Sequence, residues 1–323
     1  MSAMPAASWM LVALGGALSM QTVPADAPTR GLDWLMKVQL ADGSFQGNRF
    51  ATPYPRGISA LCALALLRSP KPGHAAAAGR ALAWLAAEHQ PENLHGEALV
   101  TLALCEGTRL LGRQHRGPAQ AALGRLLNTQ GKDGGFPELP GQSTEHAKST
   151  EHAKSTVTAL ALVAMARARH GTFEVPQQAL EAASRLLESR FVASAGQLHQ
   201  DDVPSLSLAA TALAALAFVS CDRATSSAAQ GCLKRLRQDS YQPLPADVRG
   251  KPFRGYLRGK LQLEIWAQAE ALRLWRESTR FAEWLPQLRQ ELSRRQAADG
   301  SWDGWFGAAY GTALCCLTLL PPR

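Results

Sequence analysis

The sequence has few aromatic residues and few of the β-branched residues that build sheets. Aromatics make up 7% of its 323 residues, whereas apolar residues, mostly Ala and Leu, make up 46%. Ala and Leu are strong helix formers, while aromatic and β-branched residues favour strands. The composition therefore argues against a strand-rich domain and predicts an all-α protein.

Several functional classes lack their usual signature in this chain. After the first 27 residues no apolar run reaches the ~18 residues that a membrane span needs. The net charge is +8, but arginines on the solvent-facing sides of many helices account for it, so no nucleic-acid partner is predicted. No C-x-x-C pair occurs among the six cysteines, and no metal or cofactor is predicted. Buried free thiols are expected. A Cys221–Cys232 disulfide is the alternative if the protein is exported.

The first 27 residues differ in composition from the rest. They contain no Lys or Arg, carry an apolar run from Trp9 to Met20, and end in Ala25-Asp26-Ala27. This pattern predicts a signal peptide cleaved after Ala27, followed by one domain over residues 28–323, in the periplasm or outside the cell. Because the basic n-region is missing, a leader without a targeting role on a cytoplasmic protein is the alternative.

A seven-residue motif recurs three times along the chain. It reads Gln-x-x-Asp-Gly-(Ser/Gly)-aromatic and occurs at Gln39–Phe45, Gln130–Phe136 and Gln296–Trp302. Its glycines lie 91 and 166 residues apart, close to two and three units of about 45 to 55 residues. Asp-Gly suits a tight turn, the aromatic can pack between neighbouring units, and the Gln amide can bond free backbone groups. We therefore interpret the motif as scaffold.

Pairs of helices fill the intervals between the motifs. One helix of each pair is amphipathic, as in Val175–Ser189, and its partner is apolar nearly all round, as in Ser205–Val219. The other two pairs without a motif are predicted at 75–89 with 96–106 and at 225–239 with 261–277. A helix that is apolar on all sides must be buried. Six such pairs predict an (α/α)6 toroid with an outer amphipathic and an inner apolar layer, and an open solenoid is the alternative.

The motif, followed in the sixth repeat by Tyr310-Gly-Thr-Ala-Leu, resembles the repeat of squalene-hopene cyclases and of protein prenyltransferase β subunits. The resemblance covers about residues 29–320 and implies an α/α toroid with a central cavity that binds an isoprenoid or another apolar molecule. Prenyltransferases of this family bind zinc through an Asp-x-Cys pair, which this sequence lacks. Zinc-dependent prenyl transfer is therefore not expected.

The resemblance also points to one acidic segment, His199-Gln-Asp201-Asp202. Related cyclases protonate an alkene with Asp-x-Asp-Asp before an inner helix, so the match implies Asp201 as proton donor, Asp202 as its neighbour and His199 in place of the first Asp. The alternative from the residues alone is an N-terminal cap, because Asp followed by Pro204 suits the first turn of a helix. Such cyclases close the cavity with a second domain, so enclosure here would need a homo-oligomer or a partner subunit.

Further candidates lie in the last two repeats. The predicted fifth loop, 241–260, combines basic residues with aromatics and could contact an anionic ligand or a membrane surface. The inner helix after it carries Glu264, Gln268 and Glu270 around Trp266, some of which should face the cavity. The candidate binding residues are Trp266, Glu264, Tyr256, Arg258, Tyr310 and Trp305. An exported toroid that binds a ligand without catalysis is the second functional hypothesis.

Overall fold

Helix follows helix through almost all of the described chain. The computed structural model describes residues 26–48, 54–87, 93–138, 154–199, 206–238, 252–275, 279–304 and 306–323. Its helices are α1 (Ala27–Val38), α2 (Pro55–Leu67), α3 (Pro72–Ala86), α4 (Leu94–Leu111), α5 (Arg116–Leu127), α6 (Ser155–His170), α7 (Gln177–Ser189), α8 (Leu208–Ser220), α9 (Ser227–Gln238), α10 (Pro252–Leu274), α11 (Thr279–Arg295) and α12 (Ala308–Leu319). A 3₁₀ turn, Arg113–His115, precedes α5. Strands β1 (Phe191–Val192), β2 (Gln197–His199) and β3 (Leu206–Ser207) lie between α7 and α8.

The even-numbered helices form an inner ring that closes on itself. Each packs against the even helix before and after it, and α12 packs against α2. The odd-numbered helices lie outside this ring, each against one or two inner helices. The predicted (α/α)6 toroid is therefore confirmed, and the open solenoid is excluded.

Burial follows the two layers that the hydrophobic pattern predicted. In the outer helix α7 only Leu180, Ala183, Ser184 and Leu187 are buried, at the spacing of one helical face. In the inner helix α8 every residue from Ala209 to Phe218 is buried. An outer helix thus contributes one apolar stripe to the core, whereas an inner helix is surrounded on all sides.

The repeated motif joins consecutive outer helices. In each copy the Asp side chain accepts the backbone N–H two residues on, which fixes the turn. The Gln amide donates to the carbonyl of the motif glycine and to a carbonyl near the start of the next outer helix. These pairs of acceptors are Gly43 and Ala77 for Gln39, Gly134 and Ala179 for Gln130, and Gly300 and Ala27 for Gln296. In the sixth repeat the next outer helix is α1, so this copy closes the outer layer.

Only glycine fits the centre of this turn. Gly43, Gly134 and Gly300 have φ of 94°, 90° and 96°, a region that other residues rarely adopt. A Cβ on Gly43 would lie 2.5 Å from the carbonyl oxygen of Arg80, on α3. The close approach of turn and helix therefore depends on the missing side chain, and the motif is confirmed as scaffold.

The aromatic residue that ends the motif is held by the inner helix that follows. Phe45, Phe136 and Trp302 are buried. Their backbone N–H groups donate to Ser59, Thr158 and Thr312, each in the first two turns of an inner helix. In the fourth repeat, which lacks the motif, Leu198 N–H donates to Thr211 in the same way. The hydroxyl on the inner helix therefore marks the repeat in four units, including one that lacks the motif.

Helix α10 begins earlier than its pattern predicted. It starts at Pro252 rather than at 261, so the backbone at Tyr256 and Arg258 is helical and the predicted loop over 241–260 is wrong from residue 252 onward.

Cys221 and Cys232 are both free thiols, which agrees with the expectation of unpaired cysteines. Among the helices described, none is both long and apolar enough to cross a bilayer.

Candidate functional site

The axis of the ring has two chemically different ends. We call the end where the inner helices begin the N-terminal mouth. Near the other end a cavity is lined by side chains from the second halves of all six inner helices, among them Leu64, Leu102, Val163, Leu216 and Leu317. We call this cavity the C-terminal pocket. Because large aliphatic side chains converge there, they form a floor across the axis.

One layer of residues lies about two turns above this floor. Seven residues make almost two helical turns and advance a helix by ~10 Å, so a residue seven positions before a floor residue lies on the same face, nearer the N-terminal mouth. These pairs are His95 with Leu102, Thr156 with Val163, Ala209 with Leu216 and Tyr310 with Leu317. We call His95, Thr156, Ala209 and Tyr310 the mouth layer. Thr156 and Ala209 have smaller side chains than Val163 and Leu216 below them, whereas Tyr310 is larger than Leu317.

Three aromatic rings form one edge of the N-terminal mouth. Tyr54 and Phe306 lie edge to face with centroids 5.6 Å apart, and Phe306 and Tyr310 lie edge to face at 5.1 Å. Tyr54 precedes α2 and is 38% exposed, whereas Tyr310, in the first turn of α12, is buried. Burial raises the pKa of the Tyr310 phenol well above its usual range. The aromatic edge is therefore uncharged and runs from solvent to the axis.

His95 is the basic member of the mouth layer. It lies in the first turn of α4. Burial lowers the pKa of His95 to about 4, against the opposing charge of Glu138. The imidazole is consequently neutral at neutral pH, so it can donate through one ring nitrogen and accept through the other.

A buried ion-pair cluster stands beside this layer between α2, α4 and α5. Glu97, on α4, lies 3.4 Å from Arg56 of α2 and 2.8 Å from Arg125 of α5. The side chains of Arg56 and Glu97 are 4% and 1% exposed. Since both charges of this pair are matched inside the wall, we assign the cluster to holding three helices together rather than to binding a ligand.

The acidic segment identified from the sequence follows strand β2, which lies at the same end. Strand β2 pairs with β3, with His199 opposite Leu206 and Leu198 opposite Ser207. Asp201 and Asp202 fall in the connection between them and lie outside the described residues. Ser207 caps α8 by accepting the N–H of Ala210. The alternative interpretation of the aspartates as the helix cap is therefore wrong.

His199 is half-buried beside this connection. Alternation along β2 places its side chain on the face opposite to Leu198, which is fully buried. The Nδ1 atom of His199 is buried and has no hydrogen-bond partner within the described part of the chain. A ring nitrogen in that position can bond a group of the neighbouring acidic segment or a ligand.

Of the predicted binding residues that the structure describes, Tyr310 and Trp266 lie at opposite ends of the axis. Tyr310 lies at the N-terminal mouth, but Trp266 and Glu270 line the C-terminal pocket. Gln268 points away from the axis, since its amide donates to the Leu236 carbonyl of α9. Glu264 is partly exposed and interacts with another group of the protein. Trp305 and the side chains of Tyr256 and Arg258 lie outside the described residues.

Sequence reasoning missed the rest of the mouth. His95, Tyr54 and Phe306 were not identified, although a lone histidine at the start of an apolar helix was a usable signal.

Over the described ranges, no group of three or more His, Cys, Asp or Glu side chains is arranged to hold a metal ion.

Comparison with known proteins supports the fold. No family model and no curated protein matches the sequence. A solved structure of the GH76A α-1,6-mannanase from Salegentibacter sp. HEL1_6 has a TM-score of 0.71 at 8% identity, over 91% of this chain and 98% of that one. The type II terpene cyclase MstE from Scytonema has a TM-score of 0.62 at 13% identity, over 91% and 96%. A protein from Actinoplanes has a TM-score of 0.56 at 19% identity, over 91% and 97%.

The chain is thus an α/α toroid of the architecture shared by terpene cyclases and GH76 mannanases. The resemblance inferred from the repeats is confirmed at the level of fold. Structures of the terpene cyclase include a complex with geranylgeranyl dihydroxybenzoate as substrate. Structures of the mannanase include an inactive variant, in which two consecutive aspartates are replaced, in complex with α-1,6-mannotriose.

Proposed function

We propose that this toroid binds an isoprenoid or similar apolar molecule at its N-terminal mouth. The observation that carries the proposal is the uncharged mouth layer, with small residues above an aliphatic floor and the aromatic edge of Tyr54, Phe306 and Tyr310 beside it. An apolar wall with a few polar groups is the usual character of a small-molecule site. Neutral His95 adds hydrogen bonding without the charge that would oppose an apolar ligand.

Catalysis in this proposal rests on the connection between β2 and β3. Asp201 would protonate an alkene, and Asp202 and His199 would hold its acidic proton in place, because an acid in an apolar site is kept protonated by desolvation. The floor lies only ~10 Å below the mouth layer. A C20 isoprenoid is longer than this depth, so part of it would extend beyond the ring. A second copy of the chain or a partner subunit would then complete the enclosure.

Calorimetric titration with farnesol and squalene tests the binding proposal. Ala209→Phe fills the mouth layer and should abolish binding, while Ala76→Phe, on the exposed side of outer helix α3, serves as the matched control and should bind as wild type does. Equal affinities of the two variants would contradict the proposed site. Incubation with squalene and geranylgeranyl diphosphate, followed by product analysis, then tests catalysis, and an unchanged yield with Asp201→Asn would remove the acid role.

A second candidate is an exported glycan-binding or glycan-cleaving toroid. The observation in its favour is the pair of consecutive aspartates, Asp201 and Asp202, which parallels the pair replaced in the inactive mannanase variant. Two carboxyl groups are what most glycoside hydrolases use for acid and base or nucleophile. Binding of α-1,6-mannotriose in the absence of farnesol binding would favour this candidate over the first. Exported but inactive protein that still binds a ligand would favour the non-catalytic form.

Export remains part of the second candidate, and the fold constrains where a leader could be cleaved. Ala27 is buried, and its carbonyl accepts the Gln296 amide that closes the outer layer. Cleavage after Ala27 would remove this acceptor, whereas cleavage a few residues earlier would leave it. N-terminal sequencing of protein recovered from the periplasm or medium distinguishes the two positions.

A further inference from the structure

The C-terminal pocket has two layers of side chains. Its inner layer is the aliphatic floor together with Trp266. Four residues later on the same helices, one turn nearer the end of the ring, stands a charged layer. The pairs are Leu64 with Arg68, Leu102 with Glu106, Val163 with Arg167 and Trp266 with Glu270. The pocket therefore combines an apolar interior with a charged rim.

The rim carries two positive and two negative side chains, but neither of its carboxylates is paired with Arg167. Glu270 is held by Arg68 at 2.8 Å and by Arg273 at 2.6 Å. Glu106 is held by Arg109 at 2.7 Å. Both side-chain carboxylates that line the pocket are thus matched by arginines other than Arg167, and Arg109 also donates to the carbonyl oxygen of Arg323, which lines the pocket too. The side chain of Arg167 is half-buried and makes no hydrogen bond or ion pair with any described residue, while its backbone carbonyl accepts the N–H of Gly171.

The end of α12 does not need Arg167 either. Arg68 and Arg273 already donate to the carbonyls of Leu317 and Leu320 at the end of α12. A guanidinium that is partly desolvated and unmatched favours an anion beside it, because its fork of N–H donors suits a carboxylate. The indole Nε1 of Trp266 is a second donor in this wall, buried and without an acceptor in the described part of the chain.

From this arrangement we infer that the C-terminal pocket is a binding site for a short-chain organic carboxylate. The carboxylate pairs with Arg167 at the rim, and the alkyl chain lies against Val163, Leu102 and the other floor residues. The cavity volume of about 50 Å³ is several times the roughly 10 to 15 Å³ that one water needs by the same measure. It therefore suits a molecule of a few heavy atoms, such as butyrate. This site lies at the opposite end of the axis from the proposed function and does not depend on it.

Calorimetric titration of the full-length protein with sodium butyrate tests this site. Butanol, which has the alkyl chain without the charge, and sodium chloride, which has the charge without the chain, are the matched ligands. Butyrate should bind at least about tenfold more tightly than either, because a charge-assisted hydrogen bond adds to apolar contact. Trp266 in the wall provides a second readout, since its fluorescence should change on binding and this change should be absent in Trp266→Phe.

Variants of Arg167 assign the anion contact. Arg167→Gln should weaken butyrate binding by about tenfold or more, whereas Arg167→Lys, which keeps the charge, should retain most of it. Arg185→Gln removes an exposed arginine of α7, whose nearest carboxylate is 3.8 Å away, and should bind as wild type does. Equal butyrate affinity in Arg167→Gln and wild type, or equal affinity of wild type for butyrate and butanol, would overturn the inference. The melting temperature of each variant establishes that it is folded.

Discussion

Glu270 offers the sharpest test of how this ring is held together. Its side chain is 3% exposed and bonds Arg68, the residue that caps the end of α2, and Arg273, on its own helix. Both arginines also donate to carbonyls at the end of α12. One carboxylate therefore links α2, α10 and α12 across the closing seam of the ring. Glu270→Gln keeps the shape of the side chain and removes its charge.

The expected loss of stability follows from burial. Breaking a buried ion pair destabilises a protein by about 3 to 5 kcal/mol, and the arginines here keep their carbonyl acceptors, so we expect about 3 kcal/mol. Glu106→Gln is the matched control, because Glu106 and Arg109 have the same i,i+3 spacing at 2.7 Å but side chains that are 18% and 42% exposed. Exposed pairs contribute about 0 to 1 kcal/mol. Urea unfolding followed by circular dichroism measures both losses.

The stability that Glu270 contributes should depend on pH in a defined direction. Burial alone would raise the pKa of Glu270, but Arg68 and Arg273 outweigh it and hold the pKa below its usual range. A carboxyl group whose pKa is lowered by folding stabilises the protein above its unfolded pKa, and this contribution disappears as pH falls through the folded pKa. The difference between wild type and Glu270→Gln should be constant from pH 6 to 8 and shrink below about pH 4. Equal losses in Glu270→Gln and Glu106→Gln, or a difference that grows on acidification, would refute this reasoning.

Three further predictions concern the scaffold and the mouth. Gly43→Ala should destabilise the protein by more than about 1 kcal/mol in a thermal melt, because φ is +94° and the new methyl would meet the Arg80 carbonyl. The control Gly117→Ala, at a position with open space around it, should leave the stability unchanged or raise it. His95 should stay neutral down to about pH 5, since burial lowers its pKa to about 4, and an imidazole NMR resonance that titrates near 6.5 would disprove this. Thr312→Val removes the acceptor for the backbone N–H of the sixth motif's tryptophan and should lower stability by about 1 to 3 kcal/mol, whereas an unchanged urea midpoint would contradict that role.

The scaffold was predictable because its signals are local. The Gln-Asp-Gly-aromatic motif specifies a turn through the backbone of its glycine, the hydrogen bond of its Asp and the bond from its Gln to the glycine carbonyl, all within a few residues of each other. The amphipathic pattern of α7 and the uniform apolarity of α8 then assign each helix to a layer. These features identified the ring and its six repeats without any contact between distant residues.

The mouth was not predictable because inner helices carry no directional pattern. A helix that is apolar on every side, such as α4 over most of its length, does not indicate which face points to the axis, so His95 could not be placed. The fourth repeat was misread for a related reason: β2 and β3 have only three and two residues, too short for a period to show. Their pairing, rather than Asp202, brings the chain to the Ser207 cap. The helical start of α10 was read as a loop because Gly255 and Gly259 interrupt its pattern.

The most direct measurement of the central claim is photo-crosslinking with a diazirine analogue of farnesol, followed by peptide mapping. Binding at the N-terminal mouth predicts labels in the segments that contain Tyr54, His95 and Phe306, which are far apart in sequence and lie at that end of the ring. Filling the mouth layer with Ala209→Phe should remove these labels. Labelling confined to the C-terminal pocket around Trp266, or to the outer helices, would contradict the claim.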